Sequence, residues 1–562
     1  MSGPRSPSPW SPGPLWPSGR VWSLALLAAT LVLSATLARA ADPASAGRRL
    51  FEEGILPSGR PLQALVTSDV RMSGRSAACA NCHRPTGLGS LEGAVFTPPI
   101  AGGYRPSTAT FLVPGPLQLR LEFRAPKYTP PLFARAVRDG IAPSGLRLGE
   151  TMPRYTMDDE AMRVLVAYVR SLPGPLSPGA SDGQIDLATV VDLRIPEERR
   201  RTFLQVLERY LVWRNREMRP LATPTDFPTS QAPRLGREWK LHVWTVDGPQ
   251  DGWAAQLARQ YREQPVFAVV SGLVQGPWSP VATFCETAAL PCLFPVTDLP
   301  PSAPGRFSMY FSRGLALDAD LIARHLVEQG AKAPSVLQAF TDDEVGRAAA
   351  RELAAAFGRA GLGAPRDVPL TAARPLAPQI IGAADPDRAD AWLIAWLDAS
   401  QLEALTPLAS HFSTIFLSSS LIGASFSSVP PAIRPQVLLS HQFYDPGVPF
   451  GRTQAGGRDS GSMFLRWEHS AGIVPTDERL QTSAYSAAMI LEDGLMHIGE
   501  NLYRTFLLEA LEHDLDASQA PTIYPRLTLG PGQRFASKEG LILGFASGSS
   551  AVPHRVAGPM SP

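Results

Sequence analysis

Apolar and polar positions recur along this chain in two rhythms, and the change between them divides it. In the first third, apolar residues fall at helical spacing. A short helix is expected over 47–54, with Leu50 and Phe51 turned inward. A second is expected over 132–139, where Leu132, Phe133, Ala136 and Val137 share a face and Gly140 stops it. A third is expected over 158–172. It opens on Asp158, Asp159 and Glu160, where acids suit the helix dipole, and Pro173-Gly174 ends it. Its inward face is Met162, Leu165, Val166, Val169 and Leu172.

Beyond a Pro/Gly/Ser-rich stretch at 173–183 the rhythm changes. Short apolar runs predict strands at 187–193, 241–246, 266–271, 292–295, 335–339, 391–397, 414–417 and 437–444. Amphipathic segments between and after them predict helices at 199–214, 253–263, 280–289, 319–328, 345–357 and, as one long rod, about 482–512. Strands alternating with helices imply parallel sheets covered on both faces. Some 370 residues of this exceed one doubly wound sheet, so two lobes are expected, with ligands beyond the carboxyl ends of the strands. Met489, Leu491, Leu495 and Met496 read as the buried side of the long helix, and Arg199-Arg200-Arg201 as a solvated face.

Composition changes this picture little. The chain has 562 residues, 44% apolar and 18% charged, with a formal net charge of +1. No large basic or acidic field points to nucleic acid. The N-terminus does add an address. Arg5 and Arg20 precede an apolar run at 21–33, and Ala38-Arg39-Ala40 has the form of a cleavage site. The run is short for a membrane span, so residues 1–40 are expected to be an export signal, the mature chain periplasmic, and no membrane span to remain after cleavage.

One motif carries chemistry. Cys79-Ala80-Asn81-Cys82-His83 is C-x-x-C-H, the spacing that attaches a c-type haem. Two thiols three residues apart reach the two vinyl groups of one porphyrin, and His83 is then close enough to ligate the iron. A redox C-x-x-C is the competing reading, but it needs no following His and belongs in a βαβ setting. The opposite iron ligand must come from downstream. Met72 lies in the approach to the motif, and Met162 belongs to the core face of the last helix. Met152, in the loop Thr151-Met152-Pro153, and Met157 remain, as does an open position. The two other cysteines, Cys285 and Cys292, form either a disulfide in an oxidising compartment or two buried thiols. His411, His441, His469 and His497 are scattered without metal spacing.

The motif at 79–83, the Met152-Pro153 loop and the terminal Ala167-Tyr168-Val169-Arg170-Ser171-Leu172 resemble a class I cytochrome c domain. The resemblance implies an all-α domain over residues 45–174 that holds one covalent haem c through Cys79 and Cys82, with His83 and Met152 as iron ligands. The long insertion at 91–127 departs from that family. After a linker at 175–184, residues 185–550 resemble the type I periplasmic binding proteins of the branched-chain amino acid and amide receptor group. Carrying this are Val269-Val270-Ser271-Gly272 with Ser279, the run Leu290-Pro291-Cys292-Leu293-Phe294-Pro295, the stretch 307–314, Thr341-Asp342-Asp343-Glu344-Val345-Gly346, and Tyr485-Ser486-Ala487-Ala488. The resemblance implies a two-lobed α/β domain in which Ser279 and Thr297 hold a ligand and Tyr310 lines the second lobe. Asp192-Leu193-Arg194-Ile195-Pro196 lacks the usual glycine-rich turn, and no acidic residue stands out as an amine partner. Residues 551–562 are expected to be a flexible tail.

The leading functional expectation is therefore an exported mono-haem electron-transfer protein, not an enzyme. Its partner would be a periplasmic dehydrogenase or another cytochrome, and its fused module would dock or sense a small molecule. The alternative is a transporter-type solute receptor for an amino acid or amide, in which the haem domain is an accessory or a redox sensor. A haem enzyme would require an open coordination position.

Overall fold

The computed structural model describes residues 43–561 apart from 68, 93–94, 103–127, 175, 218–236, 331–335, 385–391, 424–425, 449–459, 500, 519 and 547–551. The expected export signal and most of the insertion at 91–127 lie outside the described residues. The chain forms two compact units, which divide at Leu172 and Pro173. Residues Leu88–Pro99 group with the second.

In the first unit, helix α1 (Pro43–Arg48) runs into a wider turn at Arg49–Glu53 and packs on the terminal helix α4 (Asp159–Ser171). Gly47 permits the approach. A Cβ there would lie 2.5 Å from the Tyr168 Cβ and 3.0 Å from the Val164 carbonyl oxygen. Phe51 and Tyr168 then meet with ring centroids 5.6 Å apart, and the Tyr168 hydroxyl donates to Glu52 at 2.8 Å. Asp158 caps α4 by accepting from the Ala161 N–H at 2.8 Å. Helix α2 (Ala80–His83) is a single turn, and α3 (Pro130–Asp139) ends on left-handed Gly140.

The expectation of an all-α unit is not met. Strands β1 (Gln63–Val66), β2 (Val70–Ser73) and β3 (Arg154–Thr156) form an antiparallel sheet in the order β2-β1-β3. Their register sets buried Ala64 opposite buried Tyr155. Three or four residues are too few for alternation to declare itself in the sequence.

The second unit has two lobes. The first holds β4 (Gln184–Asp192), α5 (Glu197–Glu217), β5 (Glu238–Val246), α6 (Trp253–Glu263), β6 (Ala268–Val270), α7 (Ser279–Thr287), β7 (Cys292–Leu293) and β8 (Ser308–Met309). All five strands are parallel, in the order β8-β7-β6-β4-β5. Strand β4 is buried along most of its length because helices cover both faces. Cys285 on α7 and Cys292 on β7 form a disulfide.

The second lobe holds α8 (Leu315–Glu328), β9 (Val336–Thr341), α9 (Glu344–Ala360), β10 (Arg366–Leu370), α10 (Leu376–Ile381), β11 (Trp392–Trp396), β12 (Thr414–Ser418), α11 (Ser419–Ile422) and β13 (Val437–His441). Helix α12 (Ser460–Ser470) comes next. Then α13 (Glu478–Ile498) and α14 (Arg504–Asp514) return to the first lobe, where Tyr485 meets Tyr210 of α5 at 5.2 Å. The rod expected over 482–512 is broken because Gly499 takes a left-handed conformation (φ +58°) between α13 and α14. Strands β14 (Gly540–Gly544) and β15 (His554–Met560) complete the second lobe's sheet, ordered β10-β9-β11-β12-β13-β14-β15. The first five are parallel and the last two antiparallel. The terminal segment expected as a flexible tail is thus largely an edge strand. No described helix is long and apolar enough to cross a membrane.

The chain passes between the lobes three times, and the crossings bond to one another. Tyr310 N–H donates to the Arg534 carbonyl at 2.8 Å, Ser537 N–H to the Phe311 carbonyl at 2.6 Å, and Tyr444 N–H to the Ile523 carbonyl at 2.7 Å. Phe311 and Tyr524 stack at 5.2 Å. Gln442 bonds the Ser312 hydroxyl and donates to the Ser420 hydroxyl at 2.6 Å. Three short crossings held this way make a hinge.

Candidate functional site

Between the lobes of the second unit lies a cleft of about 1410 Å³. Its walls are the segments that follow the carboxyl ends of the parallel strands, where open α/β sheets place their ligands. The first lobe contributes Ile195 and Arg199 after β4, Leu273–Gly276 after β6, and Val296–Leu299 after β7. The second contributes Thr341 and Asp343 after β9, Trp396 and Asp398–Gln401 after β11, and Ser420–Gly423 after β12. The residues 475–479, at the start of α13, close it on the hinge side. The lobes also meet outside the cleft, where the Ser302 hydroxyl donates to Glu352 at 3.0 Å, and along its wall, where Gly276 lies so near Glu344 that a Cβ on it would be 2.9 Å from the carboxylate.

The cleft is acidic. Among the described residues it is lined by five carboxylates, Asp298, Asp343, Asp398, Asp477 and Glu478, and two arginines, Arg199 and Arg479. Both arginines are already paired, Arg199 with Asp477 at 3.6 Å and Arg479 with Asp298. Burial alone would lower the Arg479 guanidinium, but the Asp298 carboxylate beside it holds it above its ordinary value. Asp343 caps α9 by accepting from the Gly346 N–H at 2.8 Å. Asp398 accepts from the Ser400 N–H at 2.8 Å. Glu478 accepts from the Tyr444 hydroxyl at 2.6 Å.

The residues expected to hold a ligand fare differently. Thr297 lines the cleft, with its hydroxyl accepting from the Leu299 N–H at 3.1 Å. Ser279 does not line it. It is the first residue of α7 and its carbonyl accepts from Thr283, while the loop at Leu273–Gly276 takes the place expected of it. Tyr310 does not line the second lobe. It is buried in the first lobe's core, its ring tilted against that of Phe535 with centroids 5.5 Å apart. Arg199, expected on a solvated face, reaches the cleft. The carboxylates were missed. Asp343 stands in a run that had been singled out, whereas Asp398 and Asp477 come from segments distant in sequence that only the topology gathers. Strand-end position, as at Asp398 just after β11, was the signal that could have found them.

In the first unit, Cys79, Cys82 and His83 share one helical turn, in which the His83 N–H donates to the Cys79 carbonyl at 2.9 Å. The two cysteines are not bridged to each other. Cys79 and His83 are buried and Cys82 is exposed. Burial pushes the Cys79 thiol up to about 12, against the effect of a hydrogen bond with Tyr155. Met152 packs against the same apolar cluster as Cys79, and Met157 lies within it. Arg154 donates to the carbonyls of Met152 and, at 3.0 Å, Leu148, which pins the methionine loop. Two unbridged thiols and an imidazole on one turn, beside a loop methionine, are a donor set that fits a covalently attached haem. Among the described residues no three His, Cys, Asp or Glu side chains gather to hold a bare metal ion.

No protein-family model matches the sequence, and no curated protein does. Solved structures do. A branched-chain amino acid ABC transporter structure from Thermus thermophilus with bound valine is similar at a TM-score of 0.50 and 10% identity, over 68% of this chain and 97% of that one. A fatty acid ABC transporter substrate-binding protein from Thermomonospora curvata is similar at 0.48 and 16%, over 69% and 95%. A leucine-binding protein from Thermotoga maritima is similar at 0.46 and 13%, over 66% and 98%. At such identities the likeness is one of fold. The second unit has the two-lobed α/β fold of type I periplasmic binding proteins. This corrects the leading expectation. The fold that the likeness supports, over 68% of the chain, is the receptor-like one expected as the fused module, and it gives no support to a reading of the chain as chiefly an electron-carrying cytochrome. The expected dehydrogenase or cytochrome partner rested on that reading.

Proposed function

We propose that this chain is an exported solute receptor of the transporter-associated kind, whose second unit closes on a small amino-acid-like or amide-like molecule. The observation that carries the reading is the cleft itself, lined from both lobes at the carboxyl ends of their strands and flanked by a three-stranded hinge. Each lobe offers part of the site, so a ligand that touches both favours closure through its differential affinity for the closed state. Export is supported by the apolar run at 21–33 and Ala38-Arg39-Ala40. The test is a thermal-shift screen of small solutes on the full chain, repeated on Ser400→Trp. Ser400 is an exposed residue of the cleft wall, and an indole there plugs the space. A binding solute raises the melting temperature of the parent by mass action and leaves the plugged variant unmoved. A solute that shifts both equally binds elsewhere, and the reading fails.

The first unit is proposed to carry one haem c as an accessory or redox-sensing group. Cys79 and Cys82 would form the thioethers, and His83 and Met152 would hold the iron. A bound haem supplies a one-electron redox change without loss of a ligand. Protein purified from a host with haem-attachment machinery should show a haem absorption spectrum and a mass increased by one tetrapyrrole. Cys79→Ser should lose one of the two thioethers. Colourless protein of unmodified mass would remove the proposal and leave the receptor reading standing.

A further inference from the structure

We infer that Arg154 is the residue that positions Met152 for the haem iron, by fastening the methionine loop to strand β3. The inference rests on the haem reading above and goes beyond it, to a residue that acts through the loop and not by touching the haem.

A thioether is an uncharged and weak donor, so it stays on iron only where the chain presents it at little entropic cost. The loop that carries Met152 gets little help from packing. No residue from Ile141 to Met152 is buried. Hydrogen bonds fix it instead. The Leu148 N–H returns to the Gly140 carbonyl at 2.8 Å, the Thr67 N–H donates to the Glu150 carbonyl at 3.2 Å, and Arg135 donates to the Ala142 carbonyl at 2.9 Å. Arg154 supplies the tie that reaches the methionine itself. Its guanidinium donates to the carbonyls of Met152, of Leu148 at 3.0 Å and of Gly149 at 3.4 Å. A planar fork of five donors can serve three carbonyls at once, and its charge strengthens each bond.

The fork is itself held in place. Strand β3 pairs with β1, setting Arg154 opposite Leu65 and Tyr155 opposite Ala64. Successive residues of a strand face opposite ways. Arg154 thus turns to the methionine loop, while Tyr155 beside it hydrogen-bonds with Cys79. One step along β3 therefore links that loop to the turn that carries Cys79, Cys82 and His83. Gly140 makes the room. It has φ +67° and lies so close that a Cβ on it would fall on the Arg154 Nε and Cζ.

The test compares the parent with Met152→Ala, Arg154→Leu, Arg154→Lys and Gly140→Ala, each as the full chain from a host with haem-attachment machinery. None of these changes touches a thioether, so mass should show one haem on every chain. Two readouts report the methionine. One is the proton NMR signal of its methyl group, which the haem ring shifts strongly when the sulfur is on iron. The other is the rate at which carbon monoxide binds the ferrous form, which is fast when the position is open. Met152→Ala sets the open limit. Arg154→Leu and Gly140→Ala should lose the shifted methyl signal and bind carbon monoxide about tenfold or more faster than the parent, as the loss of one charge-assisted hydrogen bond implies. Their reduction potential should fall, because a thioether ligand raises it. Arg154→Lys should lie between, since a point charge on a flexible stem replaces the fork only in part. A purely structural role would lower the melting temperature and leave the methyl signal and the carbon monoxide rate as they are.

If Arg154→Leu keeps both readouts at the parental value, the inference is overturned and the haem reading stands. The same holds if Met152→Ala matches the parent, because Met152 is then not a ligand. Should Arg154→Leu fail to accumulate, Arg154→Lys and Gly140→Ala decide the matter by the same two readouts. A colourless parent removes the haem reading and the inference together.

Discussion

Arg479 holds the two lobes at once, pairing its guanidinium with Asp298 of the first lobe while donating to the Ser420 carbonyl of the second at 3.0 Å. It sits at the start of α13 with its guanidinium 4.9 Å from the Phe443 ring centroid. The same residue lines the cleft. It is therefore a brace whose length sets the spacing of two walls that a ligand must bridge.

Arg479→Met should destabilise the chain by roughly 2–3 kcal/mol, because it strands the partly buried Asp298 carboxylate without its partner. Adding Asp298→Asn should recover a good part of the loss, because the stranded charge is then gone. The non-additivity, read from chemical denaturation of the parent, both single variants and the double variant, is the measure of the pair. Strict additivity would mean that the pair contributes nothing beyond its separate residues.

Asp318, on α8 below the cleft, gives a pH signature. Its carboxyl is fully buried, with the Ser418 hydroxyl donating to one oxygen at 2.6 Å. Burial pushes it up to about 7, with Ser418 and Ser420 opposing in part. Between roughly pH 4 and 7 the folded chain therefore holds a proton that the unfolded chain has released, and stability falls as pH rises through that window. Asp318→Asn removes the effect. Relative to the parent, the variant should gain stability steadily from about pH 4 to 7 and level off above, by roughly 2–4 kcal/mol in all. Buried His441, held down at about 4 by burial, titrates in both proteins and drops out of the difference. Urea denaturation across pH 4.5 to 8 reads it. A difference that does not change with pH would show that Asp318 ionises at its ordinary value.

The fold of the second unit was legible because its strands are buried on both faces and so read as apolar runs. Trp253–Glu263 matches the helix expected over 253–263, and β9 and β12 lie within two residues of their expected places. Illegible were the three- and four-residue strands of the first unit and the break at Gly499, where one left-handed residue outweighs continuous amphipathic spacing. The cleft was legible as a location and not as a chemistry. Asp343 stands in a run the sequence marks and Thr297 was reached by resemblance, yet the gathering of acids appears only when β9, β11 and the start of α13 converge. Tyr310 was placed on the second lobe by resemblance alone, and its ring instead fills the first lobe's core.

The contact between α1 and α4 predicts a local defect. Any side chain at Gly47 meets the Tyr168 Cβ at 2.5 Å and the α4 backbone at 3.0 Å, neither of which can yield without moving a helix. Gly47→Ala should cost about 1–3 kcal/mol through overpacking, despite the gain in helix propensity that alanine normally brings. Hydrogen exchange resolves it by region. Amides of Leu165–Val169 should lose protection while those of β9 and β11 in the second unit keep theirs. Equal protection in the variant would place α1 away from α4 in solution.

The bridge between Cys285 and Cys292 closes a short loop, seven residues apart in sequence, from α7 to β7. Loop-closure entropy for so short a ring amounts to about 2.5 kcal/mol. Replacing both cysteines with alanine should lower stability by about that much, measured by urea denaturation. Both sulfurs lie in fully buried residues of the first lobe's core, so mild reductant added to folded protein should not reach them. Reduction should proceed only in urea concentrations where that lobe opens, and alkylation with mass detection at each concentration would follow it. Rapid reduction of the folded chain would mean that this edge of the lobe opens on its own, well below the global unfolding free energy.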